Sequence, residues 1–299
     1  MADAFSGPLD GYALWLATEG RPKSPATIRN YCLYLRQLRS YALQRGLRGW
    51  EQLTRAQIRA FLAERRQEAS SASATVAYFA LKSFFRYLES EELEGTGYRS
   101  PLAGLAGPGK LQPPVVPVLS KQQLGRLIQA ASAAGPLEEA LVRLLTDTGI
   151  RIGEAAAMNV LDLAISPAPR LLVHGMGGQD RIVIPGSRTA LALRRYLKAR
   201  AAHPKAESEW FWLGRPGKMS AQSLYKRVVT TGQRAGIKVH PHQLRHSWAH
   251  HYRANGGALD DLVYLAGWTG PAMALRYGAS AAGERAEQAA RRLSLGDQL

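Results

Sequence analysis

The stretch His240–Gly278, HPHQLRHSWAHHYRANGGALDDLVYLAGWTGPAMALRYG, decides how the chain folds and what it can do. Pro241 suits the first position of a helix, where its fixed φ helps and its missing N–H costs nothing. On that helix His242, Arg245 and His246 recur at i, i+3 and i+4 and so share one face. The chain turns at Gly256-Gly257, resumes as a short amphipathic helix through Leu262 and Leu265, and breaks at Gly267. Trp268 follows the break. Tyr277, nine residues later, falls on a short helix opened by Pro271. Imidazole, guanidinium, indole N–H and phenol thus gather in one glycine-punctuated region. Such a set suits chemistry on an anion: arginine grips phosphate oxygens, histidine moves protons near neutrality, and tyrosine can attack as a nucleophile.

Working outward, Ser220 is placed to cap a helix through Leu224, Val228 and Val229. Leu171–His174 and Arg181–Ile184 are short apolar runs around the glycine-rich residues 175–178, a pattern that predicts a β-hairpin. Leu191, Leu193 and Tyr196 belong to a further helix, whereas Trp210–Leu213 reads equally as a strand or a buried helix. Ser120 with Gln123 forms a capping box. Leu137, Leu141, Leu144 and Leu145 then mark a buried helix face that ends at Gly149. Arg151 follows that break directly, and Glu154, one turn on, is placed to orient an arginine or the histidine.

The N-terminal part reads as four amphipathic helices. Leu9, Tyr12 and Leu16 mark the first. Ser24-Pro25 starts the second, whose stripe is Ile28, Tyr31, Leu35, Leu38 and Ala42. Thr54 and Gln57 box the start of the third, ahead of Ile58, Phe61 and Leu62. The fourth carries Val76, Phe79, Ala80, Phe84, Tyr87 and Leu88, with its aromatic residues assigned to the core. The segment Gly104–Pro117, GLAGPGKLQPPVVP, lacks helical periodicity and reads as a linker. The expected organisation is a helical domain over residues 1–106, a linker over 107–118, and a second domain over 119–299. The fold class is mainly α: an N-terminal four-helix bundle, then a mostly α domain with a small antiparallel β-hairpin or sheet.

Composition narrows the partners. The 299 residues carry 39 Lys and Arg against 23 Asp and Glu, a formal net charge of +16. Such an excess points to a polyanion, because cationic side chains gain affinity by releasing the counterions condensed on nucleic acid. The single cysteine, Cys32, excludes an internal disulfide and a cysteine-based metal cluster, and fits a reducing cytoplasm. Met1–Pro8 holds no apolar run, and no stretch is apolar for long enough to span a bilayer. A cytoplasmic protein with no membrane partner is expected.

Three boxes carry a family resemblance. His242-Gln243-Leu244-Arg245-His246 resembles the H-x-x-R box of the tyrosine recombinases, the phage-integrase and Xer-type family. Trp268 and Tyr277 match that family's His/Trp position and its nucleophile. Thr148-Gly149-Ile150-Arg151-Ile152-Gly153-Glu154 resembles the box of the first catalytic arginine. The resemblance implies a core-binding, SAM-like helical bundle ahead of a catalytic domain. It further implies cutting and rejoining of double-stranded DNA through a 3′-phosphotyrosine by a homotetramer on paired sites. Its catalytic set would be Tyr277, Arg151, Arg245, His242, Trp268 and Glu154. The covalent link stores the bond energy, so no cofactor and no small-molecule substrate are implied.

One position departs from the pattern. The family carries a hairpin lysine that protonates the leaving 5′ oxygen, and Met176 stands in its place. His174, Arg181 and Lys218 are the candidate substitutes, and Met176→Lys is expected to speed cleavage unless another residue already fills the role. Two other readings follow: a DNA-binding protein whose catalysis has lapsed, and a relaxing enzyme of the topoisomerase IB type. The i, i+4, i+8 spacing of His242, His246 and His250 also suits zinc, but Arg245 lies amid that face and no cysteine or glutamate completes a tetrahedron. No metal is expected.

Overall fold

A computed structural model describes residues 5–20, 22–68, 71–105, 107, 117–165, 168–175 and 178–278, with isolated positions beyond 278. The side chains of residues 71–72 and 276–278 lie outside that description. So do most of the linker segment, Met176, and most of the tail after Gly278. The chain divides into two compact units, Met1–Pro114 and Val115–Leu299.

The first unit is helical: α1 (Ser6–Thr18), α2 (Pro25–Leu43), α3 (Arg55–Glu68) and α4 (Ser71–Tyr87), the last running on into a π-helical turn over Leu88–Glu92. Local chemistry sets its boundaries. The Ser24 hydroxyl accepts the Thr27 N–H at 3.2 Å, beside Pro25 at the first helical position. Thr54 and Gln57 close the expected box from both sides: the Thr54 N–H donates to Gln57 Oε1 at 2.8 Å, and the Gln57 N–H to Thr54 Oγ1 at 3.3 Å. The core is aromatic. Tyr12, Trp50, Phe61, Phe84 and Phe85 pack with Leu35, Leu38 and Ile58, and the buried Trp50 indole donates to the Phe5 carbonyl at 3.0 Å. Two expectations on α4 need correction. Phe79 is 51 % and Val76 39 % exposed, so neither belongs to the core. The face that packs holds Ala77, Tyr78, Leu81, Phe84, Phe85 and Leu88, and a helix turning 100° per residue cannot bury Phe79 with that set.

The second unit packs α5 (Lys121–Ala134), α6 (Pro136–Thr148), α8 (Ser187–Arg200), α9 (Ala221–Arg234) and α10 (Pro241–Ala254) around one core. Short elements lie between: α7 (Ile152–Ala157), β1 (Leu163–Ala164), β2 (Arg170–Val173), β3 (Arg181–Val183), β4 (Leu213–Gly214) and β5 (Gly217–Lys218). The hairpin expected from the sequence is present as β2 and β3, paired antiparallel with Leu172 opposite Ile182 and Val173 opposite Arg181. It gains a third strand, β1, which pairs Leu163 with Leu171. Trp210–Leu213 is neither a helix nor a long strand. Buried Arg200 donates to the carbonyls of Ala206, Ser208, Trp210 and Phe211, which claims the acceptors that a helix or ladder would use. Phe211 and Trp212 still reach the core.

Two further helices, α11 (Leu259–Ala266) and α12 (Pro271–Gly278), follow α10. Trp248 and Ala249 of α10 meet Leu262, Ala266 and Ala274 in a small second core. Among the described residues no helix is long and apolar enough to cross a membrane.

Candidate active site

Gly149 is where the site begins. It ends α6 with φ 61°, and a Cβ there would sit 2.1 Å from the Trp248 ring. Only glycine meets both demands. The turn it makes releases Arg151 at the start of α7, and Glu154 reaches back to accept the Arg151 backbone N–H at 2.8 Å. The same carboxylate accepts Arg151 Nη1 at 2.8 Å. Arg151 Nη2 donates to the Gly267 carbonyl at 3.2 Å, so the turn after α11 helps to aim the guanidinium.

Glu154 is the hub of a buried network. Arg181, on the inward face of β3, pairs with it bidentately, Nη1 to Oε1 at 3.1 Å and Nη2 to Oε2 at 2.8 Å, while its Nε donates to the Leu265 carbonyl at 2.8 Å. Burial alone pushes the Glu154 carboxyl up. Hydrogen bonds from Arg181 and the Arg151 N–H, with the Arg181 charge, pull harder and hold it below the usual carboxylate range. Two guanidinium groups therefore share one carboxylate. Arg181 is buried and Arg151 keeps 39 % of its side chain exposed, so the surplus positive charge faces solvent at Arg151.

Arg245 approaches from α10. It is buried, and donates to the carbonyls of Gly149 at 2.6 Å and Ala266 at 2.5 Å. Its guanidinium also lies over the Trp268 ring, 5.2 Å from the centroid. Two of the carbonyls that aim the arginines, those of Ala266 and Gly267, come from the C-terminal end of α11. His242 is exposed on the first turn of α10, its ring edge-on to His246 at 4.5 Å. His240 caps that helix, its Nδ1 accepting the Gln243 N–H at 3.2 Å.

Arg151, Glu154, Arg245, His242 and His174 line one cleft of about 540 Å³. Of the sequence-expected site residues, Arg151, Glu154, Arg245 and His242 meet there, and Trp268 backs Arg245. The backbone of Tyr277 lies in the last turn of α12, and its side chain lies outside the described residues. Among the described residues no group of three or more His, Cys, Asp and Glu has the geometry of a metal site.

Two features were not read from the sequence. Arg181 is the buried partner of Glu154 and cannot serve as the hairpin's proton donor. His174 sits between two carboxylates, with Nδ1 2.9 Å from Asp180 Oδ2 and Nε2 3.2 Å from Asp162 Oδ1. The first of these contacts follows from the hairpin's register: Val173 opposes Arg181, so His174 and Asp180 are the next facing pair. The contact with Asp162 depends on β1, which the sequence did not reveal.

Fold and site together define a mainly helical protein with an arginine-lined cleft suited to an anion. The chain belongs to the phage integrase family, whose sequence pattern matches residues 117–284, while that of the phage integrase N-terminal SAM-like domain matches residues 10–92. It is 32 % identical over 272 residues to the tyrosine recombinase XerC of Shewanella amazonensis, covering 89 % of this chain and 88 % of the relative. It is 29 % identical over 258 residues to the tyrosine recombinase XerD of Listeria monocytogenes, covering 83 % and 85 % of the two chains. Among solved structures it resembles XerA recombinase at 26 % identity with a TM-score of 0.52, over 94 % of this chain and 97 % of that one. It shares the fold of XerH site-specific recombinase on a palindromic substrate, at 18 % identity with a TM-score of 0.75, over 94 % and 83 % of the chains. The activity of this tyrosine recombinase is site-specific DNA recombination.

Proposed function

We propose that Tyr277 is the nucleophile of strand cleavage and that Arg151 and Arg245 hold the scissile phosphate. The phenol oxygen bonds to phosphorus, the P–O5′ bond breaks, and a 3′-phosphotyrosine conserves the bond energy until the freed 5′ hydroxyl of a second strand attacks it. A free tyrosine ionises only near pH ~10, so the phenol needs help at neutrality. The two guanidinium charges lower that demand, and His242 takes the proton. Trp268 can donate an indole N–H to the phosphate but cannot transfer a proton. Glu154 acts by positioning Arg151 and Arg181. The observation that carries this reading is the convergence of Arg151, Arg245 and His242 on one cleft, on the unit whose helix α12 holds Tyr277.

The core-binding domain of this reading is residues 1–106, joined by a linker over 107–118 to a catalytic domain over 119–299. The working assembly is a homotetramer on two paired duplex sites in the cytoplasm. The solved lambda integrase tetramer on a Holliday junction, which shares this fold at a TM-score of 0.71, offers the precedent. Neither the lapsed nor the relaxing reading is favoured by the recombinases it resembles.

A duplex selected from random sequence for capture by the full chain, then nicked opposite the target bond, tests the chemistry. A covalent adduct is expected with the native chain and none with Tyr277→Phe. Arg151→Ala is expected to slow adduct formation by about 10²–10³, the usual cost of losing one oxyanion donor. Absence of an adduct with the native chain favours the lapsed reading, and plasmid relaxation without strand exchange favours the relaxing one.

A further inference from the structure

We infer that His174 is the acid of the cleavage step, giving its proton to the leaving 5′ oxygen from the rim of the arginine cleft. This rests on the transesterification just proposed. An alkoxide leaves poorly, so a proton must arrive as the P–O5′ bond breaks. Among the described residues lining the cleft, only two carry groups that titrate near neutrality, His174 and His242. His242 opens the H-x-x-R box on α10 and is assigned to the nucleophile. His174 enters from the hairpin, on a different element. The other substitutes fail on geometry. Arg181 is buried against Glu154, and the Lys218 ammonium lies over the Trp210 ring, 2.9 Å from its centroid. Arginine, with a pKa above ~12, is in any case a poor proton donor.

The surroundings of His174 fit an acid. Asp180 on the hairpin turn and Asp162 ahead of β1 face its two ring nitrogens. Across the cleft stand Arg151 and Glu154 at the start of α7, with His242 and Arg245 on α10. Asp180 and then Asp162, by hydrogen bonding, raise the imidazole above its usual range, against a small opposing effect of burial. The two carboxylates therefore favour the imidazolium over the neutral ring. The two carboxylates differ in what they can do. Asp162 is 9 % exposed and its second oxygen accepts the Asn159 N–H at 2.7 Å, so it is fixed and holds Nε2–H. Asp180 is 47 % exposed and can yield its place at Nδ1 to the leaving oxygen.

The step balances. The tyrosine oxygen's electron pair forms the O–P bond, the P–O5′ pair passes to the leaving oxygen, and that oxygen takes the Nδ1 proton. Neutral His174 remains, with Nε2–H held by Asp162. In rejoining, Nδ1 takes the proton back from the attacking 5′ hydroxyl.

The test compares two duplexes, both of the sequence captured by the full chain. One has the natural 5′ oxygen at the scissile bond and the other a bridging 5′ sulfur. A thiol ionises near pH ~8.5, so a thiolate leaves without a proton. His174→Ala is expected to slow attachment to the oxygen duplex by about 10²–10⁴ and to leave the sulfur duplex near the native rate. Asp180→Asn, which keeps the ring, is expected to move the alkaline fall of the oxygen-duplex rate to lower pH. An equal loss on both duplexes would reduce His174 to a structural residue, and an undiminished oxygen-duplex rate would exclude it from the step. Native chain that attaches to neither duplex would instead overturn the recombination chemistry itself, and this inference with it.

Discussion

Glu154 and His174 occupy opposite sides of the carboxylate–cation balance, and each predicts a pH dependence of opposite sign. The Glu154 carboxyl is held below its usual range in the folded chain. Its contribution to stability is therefore complete above its unfolded value of about 4.3 and is lost as pH falls through the folded value. Glu154→Gln leaves Arg181 buried without its charge partner. A destabilisation of about 3–5 kcal/mol is expected, read as a lower melting temperature of the second unit, together with a shallower loss of stability in acid. For His174 the folded-state value is raised. As a cleavage acid it is active in the protonated form, so attachment to the oxygen duplex should fall as pH rises through a value above about 6.5. The same assignment alters what is expected of Met176. With His174 in place, Met176→Lys should add little to the native rate, yet it should restore much of the rate lost in His174→Ala. A large gain in the native chain would show that the step lacks a good donor.

At the scale of elements, two glycines make a paired prediction. Gly149 ends α6 in the left-handed region with the Trp248 ring where a methyl would go, whereas Gly125 lies within α5 and a Cβ there meets nothing within 4 Å. Gly149→Ala should cost more than the ~1–2 kcal/mol of a left-handed L-residue, because the ring must also move, and should slow cleavage by displacing the carbonyl that Arg245 holds. Gly125→Ala should stabilise by about 0.5–1 kcal/mol, as a glycine removed from a helix interior does. Thermal melting of the two variants should move in opposite directions. What was legible in the sequence follows the same division between local and distant causes. Caps at Ser24, Thr54, Ser120 and Ser220, the glycine stops and the β2–β3 hairpin are set by neighbours in the chain, and the helices open where those residues place them. The Arg151, Arg245 and His242 positions were legible as spaced boxes. The Glu154–Arg181 pair, 27 residues apart, and the Asp162–His174 contact were not, because both require the sheet to be assembled first. Phe79 falls outside the core for another reason: the stripe of Val76, Phe79, Ala80, Phe84, Tyr87 and Leu88 is rotated from the face that packs, which also holds Ala77, Tyr78, Leu81 and Phe85.

For the molecule as a whole, charge governs how DNA is found and held. A net charge of +16 cannot be local to the cleft, which exposes only part of Arg151 and whose Arg181 is neutralised by Glu154. Most of the excess therefore lies on surfaces outside the cleft. One such surface is in the first unit, where Lys23, Lys82 and Arg86 surround the exposed Phe79 and the edge of Trp15. An aromatic left in solvent beside three cations is poorly explained by folding alone, since α4 buries its other large aromatics. Phosphate contacts release counterions, so log affinity falls linearly with log salt, by about 0.9 for each phosphate neutralised. Lys82→Gln with Arg86→Gln should therefore weaken duplex binding at low salt and reduce the slope by about two. Both side chains are exposed, so the fold should be unaffected, and covalent attachment at saturating DNA should proceed at the native rate. Titrations of the full chain against one duplex over a range of salt concentrations measure this directly. An unchanged slope would mean that this face of the bundle does not touch the backbone, and that the charge steering DNA lies elsewhere on the chain.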